Sequence, residues 1–438
     1  SIGNPVIIDV EPEFSVKNVG LFKYYDRELS NPTYLLNYLK LAETWFKEES
    51  SGAVQSFVSL GKLRIYPFPL APLAEQKRIV AKIDELMALC DQLEVQQQQQ
   101  ANTLLKANTA AIHALLYADD GYSKKHKAGS QNKQYKKQEN FKVAWERIAN
   151  NFHTLYGNTL PMPPGEGRQK KYFVGLENVK QLRQMILNLA VIGHLTSKDK
   201  SDTPFSLYLD KLDTYCEKNN ITRVKVRTGH LEEVDDIKLS LPEGWEYASL
   251  TQVAYFLGGG TPSKNISSFW GGNIPWVSPK DMKTDNIVDS ELKITEIGLN
   301  SSTVKLIPVN SLLVVARSGI LKRTLPVATN TIECTLNQDM KAIVPIKPEL
   351  QPYIKLLLQG FTPFILKNLV KGGMTVQSLR YKEFEAFKFP FPPQEEQNRI
   401  VAKVDQLMVL CDQLEQQLTT AYGNVKKLTT TTLKALVV

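Results

Sequence analysis

Histidines and cysteines are the first residues of this chain that could do chemistry, because they bind metals, transfer protons and form disulfides. The five histidines show no HExxH or other ligand spacing; they are His113, His126, His153, His194 and His230. The four cysteines form no CxxC pair; they are Cys90, Cys216, Cys334 and Cys411. We therefore predict no metal site. Because Cys90 and Cys411 lie on apolar helical stripes, we expect them to be small buried side chains.

A glycine cluster, Gly258-Gly-Gly-Thr-Pro262, could also do chemistry, since glycine-rich loops hold phosphates. The Gly-Lys-Ser/Thr that completes a phosphate-binding loop does not follow it, so the cluster predicts a turn. The sequence has no GxSxG motif and no Asp/Asn-Pro-Pro-aromatic element of the kind that adenine methyltransferases use for the target base. Its acidic residues do not cluster with a lysine at a nuclease-like spacing. We predict that the chain is not by itself an enzyme.

The charge of the chain is positive, because 53 Lys+Arg stand against 45 Asp+Glu, a formal net charge of +8. That excess agrees with an anionic partner without establishing one. Part of it lies in a lysine-rich segment at 120–140, which a solvated linker explains as well as nucleic acid does. No apolar run approaches the ~18 residues of a membrane span, and the first residues do not resemble a signal peptide. We expect a cytoplasmic protein whose natural start precedes Ser1.

Residues 75–94 recur almost unchanged at 396–415, and this duplication indicates how the chain is organised. Only four of these positions differ, namely Lys77/Asn398, Ile83/Val404, Glu85/Gln406 and Ala88/Val409. A spacing this long excludes solenoids and propellers, whose periods are about 20–50 residues. The sequence therefore predicts two copies of a module of domain size, each ending in the same helix.

Each repeat follows a proline-rich break and carries apolar residues that step by four and three, the period of a coiled coil. These stripe residues are Ile79, Ile83, Leu86, Cys90 and Leu93 in the first copy and Ile400, Val404, Leu407, Cys411 and Leu414 in the second. One such helix cannot bury its stripe alone. We therefore predict that the two helices pair antiparallel as a rod about 60 Å long. The alternative is that each helix docks on its own module.

The residue pattern after Trp245 is mixed, with glycine clusters, short β-branched runs and one helical stretch. The predicted fold class is therefore α/β (α+β) modules joined by long antiparallel coiled-coil helices. We divide the chain into six segments: 1–71, the C-terminal part of the first module; 72–118, the first long helix; 119–175, a basic linker with a short amphipathic helix and a Pro/Gly loop; 176–240, a helical connector; 241–392, the second module; and 393–438, the second long helix.

The first module is predicted to be the shorter of the two. When the repeats are aligned, residues 241–321 have no counterpart in the first copy. The unmatched part includes Leu241-Pro-Glu-Gly-Trp245 and Gly271-Gly-Asn-Ile-Pro-Trp276. We therefore expect the second module to be complete and the first to lack its front half.

Several of these motifs together resemble one protein family. They are Pro393-Gln-Glu-Glu-Gln-Asn-Arg-Ile-Val401, Leu241-Pro-Glu-Gly-Trp-Glu246, Gly259-Gly-Thr-Pro-Ser263, Gly271-Gly-Asn-Ile-Pro-Trp-Val277 and the helical run at 179–195. In this order and in duplicate, they resemble the DNA specificity (S) subunits of type I restriction–modification systems, here shortened at the N-terminus. Each motif alone is weak, but their combination over nearly the whole chain is specific.

The resemblance implies a subunit that binds double-stranded DNA without cutting or methylating it. Two target-recognition domains would each read half of a bipartite site. The paired helices would set the spacing and would dock two methylation (M) subunits, with restriction (R) subunits in the same bacterial or archaeal complex. S-adenosylmethionine, ATP and Mg²⁺ would belong to those partners, and this chain would bind no cofactor.

Base reading requires side chains that donate and accept hydrogen bonds at groove edges. In the second module, the candidates are polar residues beside glycines or after the Ile-Pro-Trp segment. They are Ser278, Lys280, Asp281, Arg317, Ser318, Lys322, Arg323, Thr375, Gln377, Ser378 and Arg380. Each could also be an ordinary solvated side chain. Trp270 and Trp276 are predicted to belong to the core rather than to stack on bases.

Two other functions remain open at this point. A coiled-coil scaffold or adaptor that does not read DNA would explain the repeat and the rod, but not the glycine-rich Ile-Pro-Trp pattern. A fused endonuclease–specificity protein is the enzymatic alternative.

Overall fold

A computed structural model describes residues 4–9, 15, 19–23, 26, 29–50, 57–116, 148–157, 174–196, 199–221, 241–373 and 376–436. The chain forms two compact units, Ser1–Asn102 and Thr103–Val438. Most of the linker predicted at 119–175 and the end of the connector at 222–240 lie outside the described residues. The six-segment division of the chain stays a prediction.

The described secondary structure of the first unit is mainly helical. Its helices are α1 (Pro32–Leu41), α2 (Glu43–Glu48), α3 (Leu60–Ile65) and α4 (Leu73–Leu116), the last of which continues into the second unit. Asn31 caps α1, because its side-chain oxygen accepts hydrogen bonds from the backbone N–H of Thr33 at 2.9 Å and of Tyr34 at 3.2 Å. Tyr34 and Phe46 are buried. The Asn31 cap and the burial of Tyr34 and Phe46 stabilise the helices that precede the first long helix.

The second unit combines helices and strands. Its described helices are α5 (Phe152–Tyr156), α6 (Val174–Val191), α7 (Phe205–Lys218), α8 (Leu250–Val253), α9 (Glu296–Asn300), α10 (Gln351–Gly360), α11 (Thr362–Asn368), α12 (Tyr381–Ala386) and α13 (Gln394–Leu436). Its described strands are β1 (Glu246–Ser249), β2 (Ala254–Gly258), β3 (Trp270–Val277), β4 (Asn286–Ile287), β5 (Leu292–Ile294), β6 (Leu312–Val315), β7 (Arg317–Ser318), β8 (Val327–Asn330), β9 (Thr335–Leu336), β10 (Met340–Pro345), β11 (Val370–Lys371), β12 (Gln377–Leu379) and β13 (Lys388–Phe391).

The strands form four small sheets, and most of their pairs are antiparallel. The orders are β1-β13, β2-β10-β6-β8-β4, β11-β12-β7 and β5-β3-β9. Only β3·β9 and β4·β8 pair in parallel among the described strands. All four residues of β6 are buried at the centre of the five-stranded sheet, as expected for a short continuous apolar run. The predicted mixed helix-and-sheet fold with a long C-terminal helix is confirmed.

Helix α6 ends just before a glycine with left-handed backbone geometry. Gly193 has φ +80, and the backbone N–H of His194 donates to the carbonyl of Leu189 at 2.9 Å. A glycine with left-handed backbone geometry after the last turn is a common helix terminator. The apolar face of α6 is buried at Leu182, Met185, Ile186 and Leu189.

The stripe of α13 is covered within the second unit, chiefly by α6. Ile400, Val404 and Cys411 are buried, whereas Leu407 and Leu414 are partly buried. Arg183 of α6 forms ion pairs with Asp412 at 2.7 Å and Glu415 at 2.9 Å. The hydroxyl of Thr196, just beyond α6, donates to the carboxylate of Glu396 near the start of α13. The two helices therefore run antiparallel, and α13 docks on its own unit.

The nearly identical stripe of α4 has a different environment. Leu86 and Leu93 are each 49% exposed. Cys90 is also exposed, so the expectation of a buried thiol is wrong for the first copy, although it is confirmed for Cys411. Further along α4, Asn108 donates to the side-chain oxygen of Gln181 at 2.8 Å within the second unit. Pairing of the two repeated stripes stays a prediction.

None of the described helices has a stretch that is both long and apolar enough to span a bilayer.

Candidate nucleic-acid interface

Two separate groups of candidate residues meet in the three-stranded sheet of β7, β12 and β11. Ser378 of β12 lies opposite Arg317 of β7 on one side and opposite Lys371 of β11 on the other. Directly opposite residues share a face of the sheet. These three side chains therefore form a row across the sheet, which we call the 317–378–371 row.

The 317–378–371 row is exposed and basic. Arg317 and Lys371 are exposed, and Ser378 between them is partly buried. Since neighbouring strands are about 4.8 Å apart, the backbones that carry the two cations are about 10 Å apart. A 3₁₀ turn, Gly319–Lys322, follows β7 directly and carries exposed Lys322, with exposed Arg323 next to it. The surface offers guanidinium, ammonium and hydroxyl donors to an anionic or acceptor-rich partner.

The opposite face of this sheet points inward. Gln377 is 8% exposed and Leu379 is 7% exposed. The Gln377 amide donates to the carbonyl of Gly373 at 3.1 Å, so its donor is already engaged in the local turn. Its side chain thus lies on the buried face, although the sequence suggested an accessible loop residue. Thr375 lies outside the described residues. Ser318 caps the 3₁₀ turn by accepting from the N–H of Ile320 at 3.3 Å.

The candidates at 278–281 belong to another sheet, because they follow β3. One carboxylate oxygen of Asp281 accepts from the N–H of Ser278 at 2.8 Å and from its hydroxyl at 2.7 Å. The other oxygen accepts from the N–H of Glu291 at 3.0 Å. Both oxygens of Asp281 therefore hold their own loop, which restricts how they could accept a hydrogen bond from a base. Lys280 is exposed on the same loop.

Arg380 lies between β12 and α12, and its backbone N–H donates to the carbonyl of Leu369 at 2.8 Å. Next to it, the Lys341 ammonium lies 4.9 Å from the centre of the Tyr381 ring, within cation–π range. Tyr381 also hydrogen-bonds Glu385, and burial raises the pKa of that carboxyl above its ordinary value.

Lys371 is a residue that sequence reasoning missed. Its position before Gly372-Gly373 gave one signal, since a residue beside a glycine pair met the criterion used for the other candidates. The decisive information is the pairing of β11 with β12, which places Lys371 opposite Ser378. Strands of two or three residues carry too little periodicity to reveal that register.

The glycine cluster at 258–260 consists of the last residue of β2 and the two residues that follow it, and the predicted turn is not found there. A Cβ at Gly259 would lie 1.8 Å from the carbonyl oxygen of Asn337, so no larger residue fits without a shift. The carbonyl of Gly260 accepts from the indole N–H of Trp276 at 2.9 Å. Trp276 is 6% exposed, and Trp270 packs beside it with ring centres 5.2 Å apart. The prediction that these tryptophans belong to the core is confirmed for Trp276, whereas Trp270 is partly buried and packs against that core.

Within the described ranges, no three His, Cys, Asp or Glu side chains come close enough to hold a metal ion.

Comparison with known proteins gives the surface a context. Residues 1–103 and 242–421, more than half of the chain, match the family model of the type I restriction modification DNA specificity domain. The specificity subunit of the type I restriction enzyme EcoR124I/EcoR124II from Escherichia coli is 42% identical over 266 residues, which are 60% of this chain and 64% of that protein. The specificity subunit of the type I restriction enzyme MjaIX from Methanocaldococcus jannaschii is 28% identical over 163 residues, 36% of this chain and 37% of that protein.

The chain thus spans less than two thirds of the length of either relative. Among solved structures, it is similar to an HsdS subunit from Thermoanaerobacter tengcongensis, with 16% identity and a TM-score of 0.38. That match covers 92% of this chain and 68% of the other.

Proposed function

The chain belongs to the family defined by the type I restriction modification DNA specificity domain, and we propose that it recognises double-stranded DNA without cutting or methylating it. The 317–378–371 row carries this proposal. Phosphate contacts need cations and base contacts need directed donors, and this row has both on one exposed face. Lys322 and Arg323 extend the positive charge beside it.

Within this function the two modules have different roles. The second module reads one half of a bipartite site through the 317–378–371 row and the turn at 319–323. The first module serves the other half-site. The burial of Gln377 and the engaged carboxylate of Asp281 place these two below Arg317, Lys322 and Arg323 among the candidates.

The long helices would act as spacer and as docking surface for two methylation subunits, with restriction subunits in the same complex. S-adenosylmethionine, ATP and Mg²⁺ would be used by those partners in the cytoplasm. The exposed stripe of α4 supports a docking role, since Leu86 and Leu93 are each 49% exposed. Pairing of the stripes themselves is part of this proposal. Because Leu407 and Leu414 are only partly buried by their own unit, some of their surface is available to a second helix.

A selection experiment tests the proposal. The full chain, alone and with its methylation subunit, is incubated with a random-sequence duplex pool, and the retained DNA is sequenced. We expect enrichment of one sequence pattern, with neither cleavage nor methylation by the chain alone. Retention without any enriched pattern, or indifference to DNA even with the methylation subunit, would instead establish the scaffold function. Cleavage or methylation by the purified chain would establish an enzyme.

A further inference from the structure

A cavity of about 190 Å³ lies in the second unit, between the start of α10 and the first turns of α13. The residues of α13 that line it are Gln397, Asn398, Val401, Ala402 and Asp405, and Glu349 faces them from the turn before α10. One water molecule needs only about 15 Å³. The cavity therefore has room for a ligand group of several heavy atoms.

The cavity contains a buried acceptor without a donor. Gln397 is 1% exposed, and its side-chain amide donates to the carbonyl of Pro392 at 3.0 Å. Its Oε1 oxygen accepts no hydrogen bond from any described residue. A buried polar atom in this state is destabilising and is rare in folded proteins. The Gln397 oxygen is therefore available to an N–H group of a ligand.

The repeat equivalent of Gln397 has the donor that Gln397 lacks. In the first unit, the Gln76 Oε1 oxygen accepts from the backbone N–H of Asn31, the residue just before α1, at 2.8 Å. Leu350 holds the corresponding place just before α10, but its N–H donates to the carbonyl of Lys347 at 3.1 Å within a 3₁₀ turn. The way the chain enters α10 thus leaves the glutamine of the second unit unsatisfied.

The charge around this acceptor is negative. The Glu349 carboxylate accepts from the Tyr208 hydroxyl at 3.2 Å and lies 3.8 Å from the Lys347 ammonium, the upper end of ion-pair range. Asp405 is exposed, and no described Lys or Arg forms an ion pair with it. The described residues that line the cavity include neither Lys, Arg nor His. A cationic ligand with several N–H donors suits this combination.

One of the four differences between the repeated helices falls at this cavity. Asn398 lines the cavity in the second copy, and its equivalent in the first copy is Lys77. The first copy therefore carries its own cation at this position. The second copy lacks a charge that would repel a cationic ligand.

We propose that this cavity binds the guanidinium group of an arginine side chain that belongs to a partner polypeptide. The guanidinium donates an N–H to the Gln397 Oε1 oxygen, and its charge faces Glu349 and Asp405. Val401 and Ala402 contact the methylene groups of the arginine stem. A free arginine would bring its own carboxylate towards two acidic side chains, so an arginine within a chain fits better.

The inference does not depend on DNA recognition, because none of the residues that line the cavity belongs to the 317–378–371 row.

The probe for this site is arginine capped as its Nα-acetyl methylamide, titrated into the full chain and followed by saturation-transfer-difference NMR. We expect saturable binding with a Kd of about 1 mM. The citrulline analogue has nearly the same shape but no charge, and it should bind about tenfold more weakly because it loses the charge-assisted hydrogen bonds. Uncapped arginine should also bind more weakly than the capped form.

Two variants with matched controls test the location of the site. Asn398→Lys introduces the residue of the first copy, which the same helix tolerates, and should weaken binding about fivefold or more by like-charge repulsion. Asn398→Ala is its neutral control and should have a smaller effect. Asp405→Asn should weaken binding about twofold to fivefold, as expected for one exposed charge. Glu333→Gln also removes an exposed negative charge, but outside the cavity, and should leave binding unchanged.

Three results would overturn the proposal. Absence of saturable binding by capped arginine, or equal binding of the citrulline analogue, would show that a guanidinium is not recognised. Unchanged binding by Asn398→Lys, with the fold intact by circular dichroism, would place the ligand elsewhere. Tighter binding of free than of capped arginine would make a free amino acid, rather than a polypeptide, the ligand.

Discussion

The carboxylate of Glu396 accepts a hydrogen bond from the indole N–H of Trp245 at 3.0 Å, in a position where Glu396 is 2% exposed. Its other oxygen accepts from the hydroxyl of Thr196 at 3.0 Å. Trp245 opens the second module, Glu396 lies in the first turn of α13, and Thr196 follows α6. One side chain therefore ties together three parts of the second unit that are far apart in sequence.

Replacing Glu396 should change how stability depends on pH. Burial raises the pKa of Glu396, so the folded state binds a proton more readily than the unfolded state. Stability is then highest below the ordinary carboxyl pKa and falls as the pH rises through the raised value. Glu396→Gln removes this loss. We expect the variant's Tm, relative to that of the unchanged protein, to rise across the acidic pH range, starting from the ordinary carboxyl pKa.

Thermal melts of both proteins across that range give the measurement. Asp202, which forms an ion pair with Arg399, has a lowered pKa and the opposite pH dependence. It is present in both proteins, so most of its contribution cancels in the difference, apart from its electrostatic coupling to Glu396. A Tm difference that stays constant or falls with pH would contradict the role assigned to Glu396.

Gly193→Ala should destabilise the second unit by about 1–3 kcal/mol, the cost of a non-glycine residue in left-handed geometry. The added Cβ would also lie 2.5 Å from the Cγ of Pro242. Gly423→Ala is the matched control, because nothing lies within 4 Å of a Cβ there. Gly423 sits inside α13, so its replacement should add about 0.5–1 kcal/mol of stability. Chemical denaturation measures both, and equal effects would remove the special role of Gly193.

The parts of this structure that sequence predicts are those that local chemistry decides. The long helices followed from their apolar period. The 317–378–371 row did not, because its register depends on strands of two or three residues joined from distant parts of the chain. The polar residues of these strands could be recognised in the sequence, but the face of the sheet that each side chain occupies could not.

The repeated stripes show the same limit more sharply. Leu86 and Leu407 occupy the same place in nearly identical sequences, yet Leu86 is exposed and Leu407 packs against the core. The residues that cover a stripe lie elsewhere in the chain, and for the stripe of α13 they lie chiefly in α6. A period reveals that a helix has an apolar face, and only the rest of the chain determines its neighbour.

Leu86→Asp and Leu407→Asp together test whether the two stripes pair. If the side chains share an interface, the two effects on unfolding free energy should be non-additive by about 0.5–3 kcal/mol. The double variant should also lose helicity and binding of the methylation subunit. Chemical denaturation of the four proteins of the cycle, followed by circular dichroism, gives the coupling. Effects that add to within about 0.5 kcal/mol, or a double variant that keeps its helicity and Tm, would show that the helices do not pair.

Arg317→Ala should weaken binding to the selected DNA sequence by about 1–3 kcal/mol, as expected for a side chain that reads a base. Binding to a scrambled duplex should change less.

Lys371→Ala, at the other end of the row, should weaken binding to both duplexes alike. It should also reduce the salt dependence of binding by about one phosphate contact, since a lysine contributes a point charge. Lys305→Ala is the control, because this exposed lysine lies outside the sheet of β7, β12 and β11. Fluorescence anisotropy at several salt concentrations measures the affinity of the three variants for both duplexes and so distinguishes them. Equal losses on both duplexes for Arg317→Ala would reassign that residue to the phosphates, and no loss for either variant would exclude the row from the DNA contact.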